Sequence, residues 1–119
     1  MTITRRLFAV PDEVSSLQFD DISDRAVKVL WQPPKHINGI LIGYQIQYKI
    51  KYKPATVKVK NLTAETLSLK VTDLQATTHY KFEVTAWTAV GAGPPKVAII
   101  QSGVEPVLPH PPSKLALSN

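Results

Sequence analysis

Between Leu74 and Gly93 the chain changes character at every second residue. Tyr80, Phe82, Val84 and Ala86 are apolar, and Lys81, Glu83 and Thr85 between them are polar. A period of two puts one set on each face of an extended strand, one face in a core and one in water. Such a strand needs a second sheet over its apolar side, so it is expected to be central. The polar run Gln75 to His79 separates it from Leu74, and the chain turns a corner there with Tyr80 at the turning point. Tyrosine suits that place, because its ring buries apolar area while its hydroxyl finds a backbone partner.

The same period recurs along the chain. Val14 to Phe19 reads as a first strand with Leu17 and Phe19 facing in. Val27, Val29 and Trp31 share one side of Ala26 to Gln32, and Pro33-Pro34 ends that strand because proline cannot continue a ladder. Lys35 to Gly39 is a loop carrying the turn dipeptide Asn38-Gly39. From Ile40 to Tyr48 the even positions Ile40, Ile42, Tyr44, Ile46 and Tyr48 are apolar, while Gly43, Gln45 and Gln47 are small or polar. Val57 and Val59 alternate with Lys58 and Lys60, and Leu67, Leu69 and Val71 alternate with Ser68 and Lys70. Val97 to Ser102 is a last strand of open register, since Ala98-Ile99-Ile100 does not alternate. Seven short strands with no helical period predict an all-β, two-sheet, immunoglobulin-like Greek-key sandwich. Trp31, Tyr44, Leu74, Tyr80 and Val84 are its expected core.

Two motifs resemble those of a known family. L-x-x-x-T-x-Y-x-F-x-V-x-A followed by G-x-G-P falls on Leu74, Thr78, Tyr80, Phe82, Val84, Ala86, Gly91, Gly93 and Pro94, and V-x-V-x-W-x-P-P falls on Val27 to Pro34. Together they resemble a fibronectin type III domain over Pro11 to Ser102. The family usually carries proline where this chain has Ala76, which leaves the corner slightly less stiff. Trp31 would be the core tryptophan of the family, a reading preferred over stacking on a ligand. Residues 1–10 are expected to be an upstream linker or a non-native lead-in, with Met1 to Ala9 poorly ordered. Residues 11–103 are the domain. Residues 104–119 read as a proline-rich linker followed by the first strand of another such domain, where Leu115 and Leu117 repeat the Leu17 and Phe19 alternation.

Composition narrows the chemistry. The 119 residues fit one domain with short flanks. With no cysteine there is neither a disulfide framework nor thiolate chemistry. No apolar run approaches about 18 residues, so direct membrane insertion by this segment is not expected, and Met1 to Val10 lacks the apolar stretch of a signal peptide. His36, His79 and His110 are scattered without metal-ligand spacing. No G-x-S-x-G elbow, phosphate loop or paired carboxylates appear. No catalytic residue, metal site or cofactor is expected.

Three surface features remain. Asn61-Leu62-Thr63 is an N-glycosylation sequon between strands. Lys49, Lys51, Lys53, Lys58 and Lys60 fall within twelve residues that hold no acid, and the net charge is +5. Summed potential there could draw a sulfated glycosaminoglycan or an acidic protein. The preferred reading is a solvated face whose lysines discourage edge pairing. No stacking aromatics interleave with these lysines on the same face, so nucleic acid is not expected. Trp87 falls on the outward face with Lys81, Glu83 and Thr85, either as a protein contact or as a ring covered by lysine stems. Gly91-Ala92-Gly93 occupies the loop where some family members present Arg-Gly-Asp, a tripeptide this chain lacks; its glycines are expected in a turn of positive φ.

The opening PDEVSSLQFDD and the closing SGVEPVLPHPPSKLALSN are similar to the sidekick family of cell-adhesion proteins. That resemblance implies the extracellular part of a single-pass plasma-membrane receptor, with immunoglobulin domains ahead of a long type III array. It implies cell–cell adhesion, synaptic and homophilic contacts included, with this module as spacer and interaction surface beside neighbouring type III domains. The rivals are a structural repeat of an intracellular muscle-type giant protein and an accessory module of a secreted enzyme.

Overall fold

The computed structural model describes residues 9–103. The strands are β1 (Val14–Asp20), β2 (Val27–Pro34), β3 (Leu41–Ile50), β4 (Lys58–Thr63), β5 (Ser68–Val71), β6 (His79–Thr88) and β7 (Lys96–Gln101). A single 3-10 turn, Pro54–Thr56, lies between β3 and β4. Two antiparallel sheets form, in the orders β1-β2-β5 and β4-β3-β6-β7.

The alternation read from the sequence accounts for the core. Val27, Val29 and Trp31 of β2 face Tyr44, Ile46 and Tyr48 of β3 and Tyr80, Phe82, Val84 and Ala86 of β6, all buried. Trp31 is fully buried and meets the Tyr44 ring edge-on at 5.7 Å. Phe82 is held from both sides, by Phe19 edge-on at 5.2 Å and by a stacked Tyr48 at 5.2 Å. Such pairs add about 0.5–1.5 kcal/mol each beyond their buried area.

Several expectations need correction. The strand at Trp31 continues through Pro33 and Pro34, with Pro34 opposite Val14. The β5 register accompanies β2 only as far as Leu30, so no second ladder asks those prolines for an N–H. The apolar even face does not extend to Ile40 and Ile42, which are 72% and 56% exposed. The β3–β6 register shifts between Leu41 and Gly43, and that irregularity turns Ile42 away from the core. In β4, Lys58 and Lys60 pair with inward-facing Tyr48 and Ile46, leaving Val57 and Val59 exposed. Among the described residues β4 lies against β3 alone, so its inner side overhangs the three-stranded sheet and accommodates lysine stems. The register of β7, open in the sequence, is settled: Ile100 is buried opposite Tyr80, while Val97 and Ile99 face out.

Ala9, expected to be loose, is tied down. Its N–H donates to the Asn38 carbonyl at 2.8 Å, and its carbonyl accepts from the buried Thr88 hydroxyl at 3.0 Å. The orphan strand expected near Leu115 and the linker before it lie outside the described residues.

Candidate interaction surface

The outer face of the four-stranded sheet is built in rows across the strands. One row is Thr63, Gly43 and Trp87, with Ala92 bridged to Trp87; the next is Asn61, Gln45 and Thr85. Below them run Val59, Gln47, Glu83 and Val97, then Lys49, Lys81 and Ile99. Gly43 has no side chain between Thr63 and Trp87, and an added Cβ would lie 2.4 Å from the Leu62 carbonyl oxygen. The result is a trough in the middle of a pleated surface.

Asn61 and Trp87, singled out separately in the sequence, border the same depression of about 280 Å³ above Gly43. Asn61, expected between strands, lies within β4 paired to Gln45; it is exposed, and its Oδ1 accepts from Gln45 Nε2 at 3.0 Å. Trp87 is half-buried, and its Nε1 is covered without a hydrogen-bond partner. Among the described residues the cation–π pair is Lys51 over Tyr52, at 5.0 Å, and not a lysine over Trp87. Ile42 and Leu62 complete the apolar lining. The clue to this trough was Gly43 inside an otherwise regular strand, since an interior strand glycine marks a bulge or a close backbone approach.

The lysines are dispersed. Lys49 lies on the outer face opposite Lys81, whose Nζ is 3.4 Å from the Glu83 carboxylate. Lys51 and Lys53 sit in the β3–β4 connection, and Lys60 lies on the overhang of β4. Lys58 pairs with Asp73, whose other oxygen accepts the Tyr48 hydroxyl at 2.8 Å. Burial alone would raise the Asp73 pKa, but the hydrogen bonds from Lys58 and Tyr48 outweigh it and hold the carboxyl below its ordinary value. Burial, then the Asp73 bond, pushes the Tyr48 phenol up.

Trp31, Tyr44, Leu74, Tyr80 and Val84 all lie in the buried core. In the Gly91-Ala92-Gly93 loop the two glycines serve different needs. Gly91 has φ +154°, whereas Gly93 is required by contact, since an added Cβ would sit 2.3 Å from the Pro11 carbonyl oxygen. Among the described residues no group of three His, Cys, Asp or Glu could hold a metal ion. No helix there is long and apolar enough to cross a membrane.

Three strands facing four, closed over a central tryptophan and cornered by Tyr80, define the class of module. Residues 12–102 match the fibronectin type III domain, and the chain belongs to that family. Among individual proteins it is similar to Protein sidekick of Drosophila melanogaster, 64% identical over 110 residues that make up 92% of this chain and 5% of the fly protein. It is 40% identical over 117 residues to Protein sidekick-1 of Gallus gallus, covering 98% of this chain and 5% of that one. The chain thus spans 5% of the length of these curated relatives. The FN1-FN3 domains of chicken CNTN1 superimpose with a TM-score of 0.69 at 23% identity, over 79% of this chain and 33% of that one, a likeness of fold.

Proposed function

We propose that this chain is one non-catalytic module in the tandem type III array of a cell-surface adhesion receptor, on the extracellular side of the plasma membrane. The observation that carries the reading is the 64% identity to a sidekick protein across nearly the whole domain at 5% of that protein's length. That is the relation of one bead to a long string. The bead acts as spacer and interaction surface in cell–cell adhesion. Its direct partners are the neighbouring type III domains, while the receptor as a whole pairs with a second copy across the gap between cells, synaptic contacts included. Asn61 is its glycan acceptor. No residue of the bead is assigned a role in bond-making chemistry.

A domain exchange tests this. In cells displaying the full-length receptor, residues 11–103 are replaced by an unrelated type III domain. A spacer role predicts unchanged surface level and unchanged cell aggregation. Lost aggregation at normal surface level would move recognition into this module. Failure of the native receptor to reach the surface or to aggregate cells would overturn the adhesion reading itself.

A further inference from the structure

The trough above Gly43 pairs a glycan acceptor with an aromatic platform. Asn61 stands on β4 and Trp87 on β6, two strand spacings across and one row along, or roughly 12 Å apart. Between them β3 contributes Ile42, Gly43 and the Gln45 amide to this part of the face. Gln45 Nε2 donates to Asn61 Oδ1, which fixes the amide by its oxygen and leaves Nδ2, the atom an N-linked sugar occupies, without a described partner. Ile42 and Leu62 line the depression, and none of its residues is charged. The neighbouring depression at Gln47, Lys49, Lys81 and Glu83 is charged. An uncharged, mostly apolar seat suits a neutral amphipathic ring. The negative face of an indole attracts the C–H groups of a pyranose, which are polarised by their ring and hydroxyl oxygens.

We propose that the first N-acetylhexosamine on Asn61 folds back across Gly43 and stacks its apolar face on Trp87, against Ile42. The sugar then covers an apolar patch on the solvent side of the sheet, one that would otherwise invite association. It also sits beside the free edge strand β4. This inference rests on the extracellular reading, because an intracellular chain would not be glycosylated.

The test uses the full 119-residue chain, secreted from a high-mannose cell line through an added leader and trimmed to one sugar by an endoglycosidase. Nuclear Overhauser contacts are expected between sugar C–H or acetyl protons and the Trp87 indole. The trimmed protein is expected to melt about 4 °C above Asn61→Gln. That gain should vanish in Trp87→Ser and shrink in Ile42→Ser, a milder change that keeps the indole should Trp87→Ser fail to fold. An occupied Asn61 with neither indole contacts nor a melting gain overturns the stacking and leaves the adhesion reading intact. An unoccupied Asn61 in the secreted protein overturns the stacking and the glycan assignment together, whereas the domain exchange decides the adhesion reading independently.

Discussion

The Tyr80 hydroxyl accepts the Gln75 backbone N–H at 2.7 Å, so the ring that anchors the core also fixes the corner five residues upstream. A second clamp closes the same corner. Ser102 Oγ accepts the Thr78 N–H at 2.9 Å and donates to the Gln75 carbonyl at 2.5 Å. Tyr80→Phe keeps the buried ring but strands the Gln75 N–H. The expected cost is about 1–2 kcal/mol, near the lower part of the range for an unmade bond, because Ser102 still holds the corner. Urea denaturation should show a lower midpoint at unchanged slope. A midpoint equal to that of the native protein would deny the corner any energetic role.

The Tyr48–Asp73–Lys58 cluster predicts how stability follows pH. The Asp73 pKa is lower in the folded chain than its ordinary value near 4, so this stabilisation is present above about pH 4 and is lost as pH falls further. Tyr48 shifts the other way. Its folded pKa lies above the ordinary value near 10, so its contribution is intact below about pH 10 and fades as pH rises beyond that. Asp73→Asn should be less stable at neutral pH and show a flatter acid limb. Denaturation midpoints between pH 2.5 and pH 7 check this, and an acid limb as steep as that of the native protein would refute it.

Gly43→Ala tests the trough. Its Cβ would meet a backbone oxygen, which cannot rotate aside as a side chain can, so β3 and β4 must separate locally. The expected cost is about 2–3 kcal/mol. Hydrogen exchange should report the loss at β4 amides such as Leu62, with β6 amides such as Val84 far less affected. Uniform loss across both strands would mean a global rather than a local effect.

Much of this was legible from single residues. Period-two alternation identified the inner faces of β2 and β6, because both strands are covered along their length and obey the pattern. The reading failed where burial and hydrophobicity part company. Val57 and Val59 look like a core face and Lys58 and Lys60 like a surface, yet an overhanging edge strand reverses the roles. Ile42 was misread because one shifted residue changes the phase, and no local pattern announces it beyond Gly43. Asn61 and Trp87 were visible as separate oddities. Their adjacency depends on a register linking three strands, which a one-dimensional pattern does not contain. Ser102 and Asp73 were missed because a lone serine or aspartate near a strand end carries no periodicity.

The overhang of β4 also predicts how the module avoids its own copies. Among the described residues β4 is an edge strand, and its unpaired N–H and C=O groups would template pairing with another chain unless blocked. Lys60 points to the inner side of that edge opposite Ile46, where its stem lies along the sheet while its ammonium stays in water. A second strand docking there would have to bury that charge, at a cost of several kcal/mol. Lys60→Val removes the obstacle and extends the apolar row of Val57 and Val59 around the edge. Its own folding stability should change by no more than about 0.5 kcal/mol, as for other exposed sites. Its self-association should rise, seen in sedimentation as a concentration-dependent dimer absent from the native chain and from Lys60→Arg. If Lys60→Val stays monomeric where the native chain is monomeric, the edge is protected by its twist and shortness alone, and the inward lysine has no part in it.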